Sequence, residues 1–143
     1  MDSTDIKILE ILQTDGRISM KELGNLVALS PPAVSERVKR LEESGIIQGY
    51  AAVVDPKLLG KRVFAIINVQ MMVNQHKAFL HLVKNDPAIV ECHHLTGEDC
   101  MTIKVFLSDT IELEKLLDRI QQLGNTRTTI VLSSPLDRKP ILP

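Results

Sequence analysis

The chain has 143 residues, of which 44% are hydrophobic and 24% charged, with a formal net charge of −1. That length suits one or two small domains with cores of their own, and the composition excludes a mainly disordered chain. A charge so near zero argues against a basic tail or a membrane-surface binder, while leaving room for a local basic face.

The first fifty residues read as three helices. Apolar residues at positions 6, 8, 9, 11 and 12 form a helical stripe that stops at Asp15-Gly16. Ser19-Met20-Lys21-Glu22 is a capping box, in which the Ser19 hydroxyl accepts from the Glu22 amide and the Glu22 carboxylate reaches back. Met20, Leu23, Leu26 and Val27 follow, assigned to one face. Ser30-Pro31-Pro32 opens a third helix, with Ser30 as N-cap and Pro31 at the first helical position. Val34, Val38 and Leu41 are its apolar stripe, and Gly45 stops it.

From Gly45 the period changes. Ile46 to Val54 is strand-like and ends at Asp55-Pro56. Val63 to Val73 reads as a strand apolar on both faces. Asn74 is placed as the cap of a helix carrying Phe79, Leu82 and Val83, which ends at Asp86-Pro87. Ile89–Leu95 and Met101–Leu107 are strands joined by a tight turn at Gly97-Glu98-Asp99. Asp109-Thr110-Ile111-Glu112 reads as a second capping box before a helix with Leu113, Leu116, Leu117 and Ile120. Thr126–Ser133 is β-branched and strand-like, and the tail with Pro135, Pro140 and Pro143 reads as extended. The expected architecture is α+β: a helix-turn-helix over 1–49, a linker strand and hinge over 50–62, and a βαββαβ ferredoxin-like domain over 63–143.

Several classes of protein fall away. The stretch Val63–Val73 is too short to span a bilayer and is interrupted by Asn68 and Gln70. The start, Met1-Asp2-Ser3-Thr4-Asp5, is acidic where a signal peptide is basic, which predicts a cytoplasmic chain without membrane partners. Two cysteines make no disulfide framework. With no Trp, one Tyr and three Phe, there is no aromatic platform for single-stranded nucleic acid.

The helix-turn-helix over Ser19–Ser44 is the strongest constellation, because an amphipathic second helix after a short turn is how a recognition helix enters a major groove. With Val34, Val38 and Leu41 inside, Pro32, Ser35, Glu36, Lys39 and Arg40 face out and Arg37 lies on the flank. Ser30, through its hydroxyl and the helix N-terminal amides, can meet a phosphate. Arg37, Lys39 and Arg40 supply positive charge for duplex DNA, although residues 1–50 hold six Lys/Arg against eight Asp/Glu. Glu36 either accepts from a cytosine amine or pairs with Arg40. The competing reading is a helical head with a solvated charged face that binds protein rather than DNA.

Glu91, Cys92, His93, His94 and Cys100 lie close in sequence, but adjacent strand residues point to opposite faces and neither CxxC nor HxxxH spacing occurs. Ordinary strand residues are the better reading, and neither a metal site nor a cofactor is expected. No GxSxG, Cys–His pairing or GxxxxGK[ST] is present, so no catalytic residues are assigned and an enzyme is not expected.

Asp15-Gly16-Arg17-Ile18-Ser19, Glu22-Leu23, Leu29-Ser30-Pro31, Arg37-Val38-Lys39-Arg40-Leu41-Glu42, Gly45-Ile46-Ile47 with Tyr50, and Asp55-Pro56 with Leu59-Gly60 together resemble the Lrp/AsnC family, the leucine-responsive or feast/famine transcription regulators. Glu91-Cys92, Thr96-Gly97 and Thr128-Thr129-Ile130-Val131-Leu132 resemble its C-terminal domain. Each piece is weak alone, while their joint order along nearly the whole chain is specific. The resemblance implies a winged-type helix-turn-helix, a linker strand that pairs across a homodimer, and a C-terminal domain for oligomerisation, often to an octamer, and for effector sensing. It implies sequence-specific binding of double-stranded DNA and, as effector, an amino acid near the turn at Gly97, with Gly97, Glu98, Asp99, Cys100 and Thr128 as candidate contacts. The family commonly has an aspartate where Cys100 stands and an aromatic where Asp99 stands.

Overall fold

The computed structural model describes residues 1–97 and 100–143, arranged as two compact units. Unit one comprises Met1–Val53 together with Pro135–Pro143, and unit two Val54–Ser134. The tail after Ser134 thus groups by its contacts with the helical head. The Gln13 side chain makes the attachment: its Nε2 donates to the Ile141 carbonyl at 3.0 Å, and its Oε1 accepts from the Ile141 amide at 2.9 Å.

Unit one is three helices, α1 (Ser3–Thr14), α2 (Met20–Val27) and α3 (Pro31–Glu43). Asp2 caps α1 in a reciprocal box with Asp5, a start signal hidden in an N-terminus that reads from sequence only as acidic. Ile8, Leu9, Leu12, Leu23, Val34, Val38 and Leu41 close one core. Each such side chain contributes about 1.5–3 kcal/mol by leaving water, which is what holds so short a bundle together. Leu26, assigned to the inner face of α2, is instead 54% exposed; buried Gly24 lies where α2 meets the following turn. Residues 44–62 form no strand, so the expected linker strand is absent within one chain. A strand needs a partner for its amides, and these residues are paired with none in one chain.

Unit two carries β1 (Val63–Met71), α4 (His76–Asn85), β2 (Ile89–His94), β3 (Met101–Leu107), α5 (Thr110–Gln121) and β4 (Gly124–Ile130). All three pairings are antiparallel, in the order β2-β3-β1-β4, the split arrangement of a ferredoxin-like sheet. Alternation along the strands sends Ala65, Ile67, Val69, Met101, Ile103, Val105 and Leu107 onto Phe79 of α4 and Leu113, Leu116 and Ile120 of α5. Both helices lie on that face. The opposite face presents Phe64 stacked on Phe106 at 4.8 Å between ring centroids, with Ile66 40% exposed beside them.

Two start signals differ from expectation. α4 is capped by Gln75, without a side-chain bond, because Asn74 sits in the left-handed region at φ 64° and serves the turn instead. Asp109 does cap α5 by accepting from the Glu112 amide at 2.8 Å, but the Glu112 carboxylate accepts from the Ser108 amide and not from Asp109, so the box is open on one side.

Candidate nucleic-acid interface

The turn between α2 and α3 is built at very close range. A side chain at Gly24 would bring its Cβ within 2.6 Å of the Leu29 carbonyl oxygen, so only glycine lets this turn fold back on α2. Ala28 ends α2 in the left-handed conformation, its amide donating to the Gly24 carbonyl, and the Leu29 amide donates to the same oxygen at 2.9 Å. Ser19 fixes the other end of α2 through its reciprocal box with Glu22. These bonds set where α3 begins and how it is presented.

On α3, Val34, Val38 and Leu41 are buried, while Pro32, Ser35, Glu36, Lys39 and Arg40 are exposed, as their spacing requires. Ser30 stands at the N-cap without a side-chain capping bond. The helix N-terminal amides expected beside it are depleted: Pro31 and Pro32 have no N–H, which leaves Ala33 as the one amide donor among the first three helical residues. Glu36 does not pair with Arg40, which has no ion-pair partner among the described residues. Lys39 instead lies 3.6 Å from Glu43. Arg37 lies on the flank of α3, as its spacing predicts, and is half-buried there. Its guanidinium holds both Asp2 and Asp5 at 2.7 Å. Those carboxyls sit below their ordinary range, each chiefly because it accepts the other residue's backbone amide and then because of Arg37, whose own pKa is raised in return.

Tyr50 ties the segment after α3 to the same unit, its hydroxyl donating to Glu42 Oε1 at 2.9 Å. Burial first, and then Glu42, push its phenol up to about 12. Sequence patterns assign no site role to Asp2, Asp5, Gly24 or Tyr50. The spacing of Asp2 and Asp5 is the one signal among them, and it points to a helix start.

In unit two, Gly97 has φ 110°, a conformation that favours glycine, with open space where a side chain would stand. The reason for glycine there is the backbone angle and not a close approach. The Cys100 thiol lies 3.7 Å from the Val69 carbonyl. Thr128 pairs with Ile67 on the far side of β1, its side chain on the helix-bearing face of the sheet. One chain therefore does not bring Thr128 together with Gly97 and Cys100, because β1 runs between them. Glu98 and Asp99 lie outside the described residues. Glu91, near the cysteines and histidines of β2, accepts from Lys104 at 3.1 Å and faces His93 at 3.5 Å; Lys104 first, then His93, lowers its pKa against the opposing effect of burial. Among the described residues no three His, Cys, Asp or Glu side chains are placed to hold a metal ion. No described helix is long and apolar enough to cross a membrane.

Residues 1–48 match the family model for a winged helix-turn-helix DNA-binding domain, and residues 64–141 that for the Lrp/AsnC ligand-binding domain. The chain belongs to the Lrp/AsnC family. It is 35% identical over 135 residues to the HTH-type transcriptional regulator FL11 of Pyrococcus furiosus, covering 92% of this chain and 89% of that one. Among solved structures, LrpC of B. subtilis superposes with a TM-score of 0.91 at 32% identity, over 96% of this chain and 99% of its own. A transcriptional regulator of Neisseria meningitidis, solved in complex with L-Met, superposes at 0.93 with 29% identity, over 99% and 96%. An Lrp/AsnC chain with this head is a DNA-binding transcription regulator, and the α+β fold expected from sequence stands.

Proposed function

We propose that the outer face of α3 is the surface that reads duplex DNA, with Ser35 and Glu36 toward base edges and Ser30, Pro32, Lys39 and Arg40 against the backbone. The observation that carries this reading is the division of α3 itself: an inner stripe wholly committed to the core and an outer face whose Arg40 has no counter-ion among the described residues. Lys39 and Arg40 each neutralise a phosphate, while Ser35 and Glu36, one turn earlier on the same face, discriminate bases. The test is binding to a duplex that the wild-type protein enriches from a random-sequence pool. S35A/E36A should change which sequences are preferred and K39A/R40A should weaken all duplexes alike; unchanged affinity and preference in both would refute it.

The working form in this reading is a homo-oligomer in the cytoplasm, and no reaction is assigned to it. The helix-free sheet face, with Phe64, Ile66 and Phe106, supports burial against a second copy, and paired heads raise DNA affinity through effective concentration. A monomeric mass in light scattering at micromolar concentration would refute that. We further propose an amino-acid effector in unit two, supported by the match to the ligand-binding family model and by the L-Met complex of the Neisseria relative. Because Gly97 and Thr128 lie apart in one chain, the site is read as completed between copies. A thermal-shift screen of the twenty amino acids tests it, since a ligand of the folded state raises the melting temperature by linkage; no shift with any of them would refute it.

A further inference from the structure

We propose that Arg37 is a positioning residue of the DNA-reading helix: it touches no DNA, and acts by locking α3 to the N-terminus of α1 through Asp2 and Asp5. This rests on the reading of α3 as the DNA-binding helix. Three observations carry it. Arg37 lies at the edge of the inner stripe, three residues after Val34 and one before Val38, so its side chain leaves α3 toward α1 and is 23% exposed, against 66% for Lys39. Its Nη1 lies 2.9 and 2.7 Å from the two Asp2 oxygens and 2.7 Å from Asp5 Oδ1, so its two N–H groups serve three acceptors, one N–H being shared. The two carboxylates are themselves held in place, because Asp2 and Asp5 accept each other's backbone amides at 2.9 and 3.0 Å in the box that starts α1. A single cation held between two fixed carboxylates is already neutralised and has no charge to spare for a phosphate. An Arg bound to oxygens whose own positions are set by a helix start makes a rigid strut between two helices.

The consequence separates two roles that one helix carries. A phosphate contact contributes to the salt dependence of binding, about 0.9 in the slope of log K against log salt for each phosphate neutralised. A strut contributes to none of it, but determines whether Ser35 and Glu36 meet the right bases. The experiment measures, for full-length protein, affinity for the pool-selected duplex and for a scrambled duplex of equal length, across a salt series. It is run at a temperature where Tyr50 fluorescence shows each variant folded.

R37Q should lower the ratio of selected to scrambled affinity fivefold or more while leaving the salt slope unchanged. R37K, which restores a charged donor without the guanidinium, should recover part of the ratio. D2N/D5N should behave like R37Q and carries the test alone if R37Q does not fold. A slope lowered by about 0.9 per engaged head in R37Q, with tighter binding by D2N/D5N, would show that Arg37 is a phosphate contact and overturn the proposal. An unchanged ratio in both variants would overturn it as well. K39A/R40A, measured alongside, tests the underlying reading separately: if it alters neither affinity nor slope, α3 is not the DNA-binding helix.

Discussion

Replacing Gly24 by Ala tests the helix-turn-helix geometry with an effect whose sign is decided by one close approach. In an unconstrained helix interior, Gly→Ala stabilises by about 1 kcal/mol, because glycine loses more backbone entropy on folding. Here the added Cβ would stand 2.6 Å from the Leu29 carbonyl oxygen, whereas ordinary contact begins at 3.4 Å. The neighbour is backbone, and the Leu29 amide is already bonded to the Gly24 carbonyl at 2.9 Å, so the turn cannot move aside without straining that bond. Overpacking costs about 1–3 kcal/mol and a weakened backbone hydrogen bond about 1 more. After subtracting the propensity gain, G24A should destabilise unit one by about 1–3 kcal/mol. For a domain of this size that lowers the melting temperature by roughly 4–8 °C per kcal/mol. The protein has a single Tyr and no Trp, and that Tyr50 is bonded to Glu42 within unit one, so tyrosine fluorescence follows this unit's unfolding. A G24A protein as stable as wild type, or more so, would refute the reasoning.

Three further outcomes follow from the ion pairs and the tail. Asp2 and Asp5 have carboxyls lowered in the folded state, so their stabilisation is present above the ordinary carboxylate range near about 4 and is lost as pH falls through the lowered values. Acid titration followed by Tyr50 should therefore show unit one loosening below about pH 4, and D2N/D5N should flatten that limb. D86A should cost unit two about 1–3 kcal/mol in urea unfolding read by circular dichroism, more through the buried carboxylate's bond to the Ala88 amide than through half-exposed Arg119, and D86N should cost less. Q13A removes both bonds to Ile141 and should raise hydrogen exchange at the Ile141 amide about tenfold or more, without altering that of α5.

Local signals in the sequence are legible where a single segment decides the outcome. The stripe of Val34, Val38 and Leu41 and the Ser19 box each depend on residues within one or two turns, and the structure repeats them. Features that depend on a distant partner are not legible. Arg37 is three residues from Arg40 and of the same type, yet one is bound by carboxylates 32 and 35 residues away while the other is not. Nothing in the tail announces that Ile141 will meet Gln13, 128 residues earlier. The strand expected over 50–62 shows the same limit from the other side. Its residues suit a strand, but a strand exists only with a partner, and within one chain this segment is paired with none. The strand order likewise puts β1 between Thr128 and the Gly97 turn, a separation that no local pattern along the chain announces.

The central claim is that Lys39 and Arg40 on α3 hold duplex DNA by neutralising phosphates. Its most direct test is the slope of log K against log salt for the pool-selected duplex, wild type beside K39A/R40A. Wild-type log K should fall linearly with log salt, and the double variant's slope should be shallower by about 0.9 for each phosphate left without its cation in each engaged head. Equal slopes in the two proteins, or wild-type binding that does not respond to salt, would contradict it.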